Sequence, residues 1–275
     1  MEKKRGILSI VPTPIGNLKD MTYRGVEVLQ HAAVIAAEDT RVSGKLLKHF
    51  HITTPMVSYH KFNERSRVKE LLARMQQGED VAVISDAGTP GISDPAAVVV
   101  KEAIAQGIEV DVLPGATAFV PAFVASGLDG GSFCFLGFLP DKQQSRDQLL
   151  QQIANQPITL IFYESPHRII KTAQLLRDAL GNRPIAIGRE LSKMHQTYYR
   201  LTLDKLLADP EQITMKGEFV LVVAGAGKNS VTDDELQKLL QDCIRKGMRQ
   251  KDAVRYIQEK TGARKNRIYD LSLEL

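Results

Sequence analysis

Between Val81 and Pro95 the chain runs Val81-Ala82-Val83-Ile84 and then Ser85-Asp86-Ala87-Gly88-Thr89-Pro90-Gly91-Ile92-Ser93-Asp94-Pro95, after which a helical pattern opens. A short apolar run, a crowded loop and a helix are the parts of one α/β unit. Two prolines, two glycines and two aspartates in the eleven loop positions fix the backbone and remove amide donors, whereas a phosphate cradle needs many free N–H groups. The loop is shaped for a ligand, but not for pyrophosphate. Val11-Pro12-Thr13-Pro14-Ile15-Gly16-Asn17 follows the strand-like run Ile7 to Val11, and Leu113-Pro114-Gly115-Ala116-Thr117 follows Val110-Asp111-Val112. Three stiff loops at successive strand ends predict one shared pocket.

From Gly6 to Val112 short β-rich runs alternate with helical patterns: Ile7 to Val11, a helix from about Thr22, Ala33 to Ala37, a helix through Leu46-Leu47, a long helix from Glu64 to Met75, then Val81 to Ile84. That alternation predicts a parallel sheet. Asp94 is placed to cap a helix starting at Pro95, because proline is tolerated at the first helical position. After Pro114 come a helix through Phe119 and Val124, Phe133 to Phe138, a helix around Leu149-Leu150, and Ile158 to Tyr163. A helix from Ser165, then Ile185 to Arg189, Thr197 to Leu203 and Phe219 to Ala224 complete the body. The closer strand spacing points to a mixed sheet. Boundaries fall near Pro114-Gly115, read as a hinge, and near Gly227-Lys228-Asn229-Ser230. The expected fold is α/β: an N-terminal α/β domain over 1–114, a second over 115–227 and a small helical basic domain over 228–275.

The helical segment opens on the capping box Thr232-Asp233-Asp234-Glu235, followed by Leu236, Leu239, Leu240, Cys243 and Ile244 at helical spacing up to Gly247. Ala253, Val254 and Ile257 mark a second helix ending near Gly262, and Ile268, Tyr269 and Leu271 a third, an arrangement like helix-turn-helix. Arg245, Lys246, Arg249, Lys251, Arg255, Lys260, Arg264, Lys265 and Arg267 there face only Asp252 and Glu259, although the whole chain carries a net charge of just +4. Such asymmetry predicts a polyanionic partner.

No apolar run approaches the roughly 20 residues a membrane span needs, and Met1-Glu2-Lys3-Lys4-Arg5 leads directly into a strand pattern, so a cytoplasmic location is expected. Cys134 and Cys243 read as buried thiols rather than a disulfide, and no histidine has zinc-binding spacing, so no metal is expected. Gly225-Ala226-Gly227-Lys228 fails as a P-loop because Val222 occupies the position of its first glycine and Asn229 that of its Ser/Thr. Neither a G-x-G-x-x-G after the first strand nor a G-x-S-x-G elbow occurs, which disfavours nicotinamide, flavin and serine-hydrolase chemistry.

The three loops, in this order, resemble those of the tetrapyrrole methylase (class III methyltransferase) family, over about Ile7 to Gly225. Within it the chain is most similar to the branch that methylates ribosomal RNA. The residues carrying that likeness are Pro12-Thr13-Pro14-Ile15-Gly16-Asn17-Leu18, Glu38-Asp39-Thr40-Arg41, Ser85 to Pro90, Phe162-Tyr163-Glu164-Ser165-Pro166-His167-Arg168 and Arg189-Glu190-Leu191-Ser192-Lys193. Porphyrin enzymes of the family show Gly-Asp-Pro in place of Gly88-Thr89-Pro90, which favours RNA over a tetrapyrrole. Ala96 and Ala116-Thr117 depart from the RNA-enzyme pattern, where glycine and Pro-Ser are usual.

The resemblance implies S-adenosylmethionine bound between two α/β domains, a homodimer, and transfer of a methyl group to the ribose 2′-hydroxyl of a decoding-centre cytidine in 16S rRNA, within the assembled small ribosomal subunit. It implies donor contacts from Pro12, Thr13, Pro14, Asp86, Gly88, Thr89, Ile92, Pro114, Gly115, Thr117 and Ala118, with Glu164 and Glu190 approaching from the second domain. A sulfonium cation with an adenine wants carboxylates or carbonyls and an apolar slot, and needs no phosphate loop.

A ribose hydroxyl is a weak nucleophile, so a base at a strand end lining the cleft is expected. Glu38 and Asp39 qualify, as does Lys193 if burial lowers its pKa; the competing reading makes Asp39 or Thr40 a helix cap with a bridge to Arg41. Arg24, Arg41, Arg65, Arg67, Arg168 and Arg189 flank the same loops and suit RNA phosphates, as do Lys251, Arg255, Arg264, Lys265 and Arg267 in the tail. Tyr163, Phe138 and Tyr59 are candidates to stack on an extruded base, and His167 sits in a first helical turn. Two other functions stay open: a small-molecule, tetrapyrrole-type methylase, and a non-enzymatic RNA-binding module.

Overall fold

The computed structural model describes residues 5–128, 131–227, 233–261, 263 and 265–273. Five short strands, β1 (Leu8–Ile10), β2 (Val34–Ala37), β3 (Met56–Ser58), β4 (Val81–Ile84) and β5 (Val110–Val112), form an all-parallel sheet in the order β3-β2-β4-β1-β5. Four helices connect them: α1 (Tyr23–His31), α2 (Thr40–His49), α3 (Glu64–Gln76) and α4 (Ala96–Ala105). Both faces of β2 and β4 are buried, and alternate residues serve opposite cores. Val34, Ala36, Val81 and Val83 pack with Leu71 and Met75 of α3 and Val99 of α4, while Ile35, Ala37, Ala82 and Ile84 pack with Leu29 of α1 and Leu47 of α2.

That division creates the crevice. Neighbouring strands β1 and β4 send their chains to helices on opposite faces of the sheet, so the loops leaving them diverge. A ligand site belongs at such a switch point. Across its base the loops are tied by paired backbone bonds, Thr13 N to Gly88 O at 2.9 Å and Gly88 N to Thr13 O at 3.0 Å, and by Thr13 Oγ1 donating to Ser85 O at 3.0 Å.

The second sheet contains β6 (Phe133–Gly137), β7 (Thr159–Glu164), β8 (Pro184–Arg189), β9 (Thr197–Thr202) and β10 (Phe219–Val223), ordered β6-β7-β10-β8-β9. Only the β6–β7 pair is parallel, so the sheet is mixed as expected. One face is covered by α6 (Gln143–Ile153), α7 (Ile169–Leu180) and α8 (Leu203–Ala208). The other receives α5 (Phe119–Ser126), with Ala122 against Ile161, Ala186 and Val222, and also Ile15 from the first loop. Through that contact the two sheets share one apolar seam.

Arg183 is buried near the end of the second core and donates to three carbonyls, Leu180 O at 3.1 Å, Ala224 O at 3.3 Å and Ala154 O. A guanidinium can satisfy several loop ends at once, which explains its burial with no carboxylate partner among the described residues. The tail helices α9 (Asp233–Arg245), α10 (Gln250–Thr261) and α11 (Lys265–Ser272) enclose Leu236, Leu240, Cys243, Val254, Ile257 and Ile268. Thr232, Lys228 and Gly262 lie outside the described residues. Among the described residues no helix is long and apolar enough to cross a membrane.

Several sequence expectations shift. Helix α4 begins at Ala96 rather than Pro95, and the Asp94 carboxylate accepts from both Gly91 N and Ala96 N at 2.9 Å, bracing the loop as well as the helix. Residues after Ser165 form a turn before α7 starts at Ile169, so His167 precedes the helix. Gly115 is no free hinge: a Cβ there would lie 2.4 Å from Pro12 Cβ, so the first and third loops are packed face to face. Gly225, part of the P-loop look-alike, is where the backbone crosses Pro157, a Cβ falling 2.4 Å from its carbonyl carbon.

Candidate active site

A cavity of about 450 Å³ opens at the switch point and is closed from above by the second sheet. Its floor comes from Glu38 after β2, Ser85 to Thr89 and Ile92 to Asp94 after β4, Ile15 after β1, and Thr117 and Ala118 after β5. Phe138, Tyr163, Glu164, Leu191, Glu218, Phe219 and Val220 form the roof. Five carboxylates and a set of apolar side chains therefore share one small space, although the chain as a whole is basic. Such a lining attracts a cation bearing a flat apolar group and repels phosphate.

Glu38 is the carboxylate with the most suitable electrostatics for accepting a proton. Burial raises its pKa above the usual glutamate value, and the negative charges of Asp86, Asp94 and Asp39 raise it further. Asp86 is also raised, first by burial, while its carboxylate accepts from Asp39 N at 3.0 Å. Asp39 itself is engaged elsewhere. It is the N-cap of α2, accepting from Arg41 N at 2.8 Å, and it grips the Arg41 guanidinium at 3.1 and 2.7 Å, which holds its carboxyl far below the ordinary aspartate range. A carboxylate so stabilised is a poor base, and the capping reading prevails.

Lys193 also differs from expectation. Burial pulls its pKa down, but bonds to Glu190 Oε1 at 2.9 Å and Glu218 Oε2 at 3.1 Å outweigh that and hold it above the usual lysine value. It stays charged and cannot accept a proton. Its stem crosses Gly16, where a Cβ would fall 2.2 Å from Lys193 Cγ, so this lysine clamps the first loop to the second sheet. Glu190 sits with φ 50°, its carboxylate also accepting from Glu218 N at 2.9 Å; burial pushes its pKa up, yet the Lys193 and Glu218 bonds bring it below normal.

Of the expected donor contacts, Asp86, Gly88, Thr89, Ile92, Thr117, Ala118 and Glu164 line the cavity. Pro12, Thr13, Pro14, Pro114, Gly115 and Glu190 are not part of its lining; Thr13 is buried and Pro12 and Gly115 brace one another beneath it. Thr89 is turned toward the third loop, its hydroxyl donating to Ala116 O at 2.9 Å. Glu164 is buried and directs its oxygens to Ser165 N at 2.8 Å and Thr172 Oγ1 at 2.6 Å, with Arg168 Nε at 3.4 Å, so it orders the roof more than it offers a free charge.

The aromatic candidates divide. Tyr163 and Phe138 reach the cavity, but Tyr59 is a core residue, 2% exposed, with its hydroxyl donating to Pro95 O at 2.8 Å. Glu218 and Phe219 escaped sequence reasoning because they stand where the strand Phe219–Val223 begins and nothing local distinguishes a roof residue from core, while Leu191 is marked only as part of the Arg189 to Lys193 motif.

Among the arginines, Arg24 is paired with Asp111, Arg67 with Glu70, and Arg168 with Asp141 at 2.7 Å. Arg189 donates to Lys216 O at 2.7 Å and His195 O at 3.1 Å, a structural use of its guanidinium. Arg41 keeps its outer face in solvent, 88% exposed, beside the cavity rim. In the tail, Arg267 meets Asp233 at 2.6 Å and Arg255 stands 4.0 Å from Asp252, while Lys251 and Lys265 are exposed. Arg264 lies outside the described residues.

A sequence profile of the Tetrapyrrole (Corrin/Porphyrin) Methylases matches residues 8–207. The chain is 47% identical over 274 residues to a Synechocystis sp. protein named ribosomal RNA small subunit methyltransferase I, with 98% of each chain covered. It is 42% identical to the protein of the same name from Halalkalibacterium halodurans, covering 97% of this chain and 94% of that one. Among solved structures, the methyltransferase CobJ superposes with a TM-score of 0.62 at 22% identity, covering 80% of this chain and 95% of the other. A Thermus thermophilus uroporphyrin-III C-methyltransferase, solved in complex with S-adenyl homocysteine, superposes with a TM-score of 0.55 at 20% identity, covering 79% and 97%. The tail lies beyond the profile match, yet the near-full-length kinship takes it in: the chain belongs to the tetrapyrrole methylase family.

Proposed function

We propose that this chain transfers a methyl group from S-adenosylmethionine to the ribose 2′-hydroxyl of a decoding-centre cytidine in 16S rRNA. The observation that carries the reading is the carboxylate-lined, apolar-walled cavity at the switch point, built without a phosphate-binding loop. The names of the near-full-length relatives supply the substrate class.

When bound, S-adenosylmethionine supplies a methyl group made electrophilic by its positive sulfur. Asp86, Asp94 and Glu218 balance that charge, and Ile15, Ile92, Ala118, Phe138 and Val220 enclose the apolar part. Gly88 lines the floor between the first and third loops, where a side chain longer than a methyl group would crowd Ile15 and Ala116. Glu38 takes the proton of the attacking hydroxyl, a contribution on the order of 10²–10⁴ in rate. The remaining acceleration would come from the cavity walls positioning the hydroxyl against the bound donor. Because the cavity is acidic, RNA enters it sugar first and leaves its phosphates outside, toward the exposed guanidinium of Arg41, three residues after Glu38.

We read the chain as divided into 1–114, 115–227 and 228–275, with positioning separate from chemistry. Lys251, Arg255, Lys265, Arg267 and Arg264 of the tail hold rRNA phosphates while the two sheets bind the donor. Removing residues 229–275 is expected to weaken binding to an rRNA fragment and to flatten its salt dependence, by about 0.7–0.9 in the slope of log K against log salt for each phosphate that the tail no longer neutralises. Calorimetry with S-adenosylmethionine on the same folded truncation is expected to give the full chain's affinity. An unchanged slope would remove the tail's role, and absence of donor binding by the full chain would remove the enzymatic reading.

The chain works as a homodimer. Val120 and Val124 on the outer side of α5 and the adjoining Phe133 are 46%, 75% and 44% exposed, an apolar patch that a second copy covers. Light scattering at micromolar concentration is expected to give twice the chain mass of 30.5 kDa, and a monomer would remove the claim.

A further inference from the structure

Phe62 is 95% exposed, on the turn that joins β3 to α3. A lone exposed apolar side chain is ordinary, and Tyr23 and Met194 are as exposed as Phe62; what singles Phe62 out is its place between two exposed cations near the cavity. The turn is rigid. Asn63 Oδ1 accepts from His60 N at 2.9 Å, Asn63 Nδ2 donates to Ser58 O and Oγ at 3.1 Å, and Arg67 Nε donates to Ser58 O at 2.9 Å. The His60 and Phe62 rings are tilted 66° to one another with centroids 6.0 Å apart, and the 95% exposure of Phe62 leaves ring surface open to solvent. The backbone that carries the aromatic is thus braced before any partner arrives.

Its location connects it to the active site. The turn leaves the parallel sheet at the same edge as the loops that line the cavity. Just before it, Tyr59 N donates to Ala37 O at 2.7 Å, one residue before Glu38, and the Tyr59 hydroxyl reaches Pro95 O, one residue after Asp94. Lys61 and Arg65 flank the aromatic, both exposed and neither in an ion pair among the described residues. An open recess runs between them, lined by Lys61, Phe62, Asn63, Glu64, Arg65 and Ser66. An exposed aromatic face between two unpaired cations is the combination that single-stranded nucleic acid recognises, one base stacked and the adjoining phosphates neutralised.

We infer that Phe62 is a stacking platform for an unpaired base of the substrate RNA close to the target nucleotide, with Lys61 and Arg65 on the flanking phosphates. The inference rests on the RNA reading of the active site and adds to it a substrate-positioning site on the β3–α3 turn. Sequence reasoning passed over Phe62 because a lone aromatic in a polar turn has no periodicity to mark it.

The test uses the full chain, an unmodified 16S rRNA fragment as the probe, and three substitutions: Phe62→Ala, Phe62→Leu and Phe62→Trp. RNA affinity is measured directly, separately from turnover, so a wild-type chain that binds RNA without methylating it overturns the proposed reaction and not the platform. Phe62→Ala is expected to weaken RNA binding and raise the RNA KM by about 5–150-fold, with kcat at saturating RNA and affinity for S-adenosylmethionine unchanged. Phe62→Leu is expected to match Phe62→Ala, and Phe62→Trp to match the parent. Replacing Lys61 and Arg65 by alanine is expected to flatten the salt slope by about 0.7 for each cation removed. Unchanged RNA affinity in Phe62→Ala overturns the platform, as does full activity in Phe62→Leu, which marks an apolar protein contact, or a change of oligomeric mass in Phe62→Ala, which marks a subunit interface.

Discussion

Glu38→Gln is expected to lower kcat for methyl transfer by about 10²–10⁴ while affinity for S-adenosylmethionine changes by less than about tenfold. Glutamine keeps the shape and the acceptor oxygen that Glu38 uses toward the Asp86 backbone, but it cannot take a proton. The parent is expected to gain rate with rising pH as Glu38 ionises, with the limb lying above the ordinary glutamate value because burial and the Asp86 charge disfavour the carboxylate. In Glu38→Gln that limb should be absent. The stability consequence has the opposite sign from activity. A carboxylate whose folded pKa is raised destabilises the fold at pH values above that pKa, so the substitution should raise Tm at neutral pH rather than lower it. A pH–rate profile with the Glu38 limb intact in the variant would move the base elsewhere, and a lowered Tm would mean the side chain has a structural role.

Gly88→Leu is expected to abolish donor binding without unfolding the protein. Gly88 has φ 82°, a conformation that costs a residue with a Cβ about 1–2 kcal/mol. A Cβ there would already touch Ile15 Cγ2 at 3.4 Å and Ala116 O at 3.5 Å, and the rest of a leucine must enter the cavity or push the first and third loops apart, at about 1–3 kcal/mol for overpacking. Those costs fall on the fold in the free and the bound protein alike, whereas the loss of binding comes from leucine atoms occupying the space the donor needs. Gly88→Ala carries the backbone cost and only ordinary van der Waals contact, so a smaller loss is expected there. Calorimetric titration of both variants with S-adenosylmethionine, alongside their far-UV spectra, decides the matter; parental affinity in Gly88→Leu would show that the loop is not part of the donor site.

The parallel sheet was legible because its central strands are buried on both faces and read as uninterrupted apolar runs, Val34 to Ala37 and Val81 to Ile84. Edge strand β3, Met56–Ser58, was not, since three half-buried residues carry no periodic signal. Short helix α8 was hidden in the same way behind β9, although Thr202 caps it by accepting from Lys205 N at 3.3 Å.

For the site, the loops were legible from proline and glycine placement, and Glu38 from its position at a strand end. The pairing of charges was not. Asp39 with Arg41 could be weighed as a cap because the two are neighbours in sequence, whereas Lys193 with Glu218 joins residues 25 apart and reversed the expected pKa direction. The same long-range pairing turned Arg189 from a free cation into a strut for Lys216 and His195. Local pattern fixes which residues stand at strand ends; only the tertiary fold decides which of them already have partners.

The central claim is a methyl group on a ribose hydroxyl. It is tested most directly by incubating unmodified small ribosomal subunits with the full chain and S-adenosylmethionine carrying a deuterated methyl group, then mapping the label by nuclease digestion and mass spectrometry. The account predicts label on one cytidine of the decoding centre, on the sugar fragment and not the base. Label on a base, label spread over other nucleotides, or an inert subunit beside a readily methylated tetrapyrrole would contradict it.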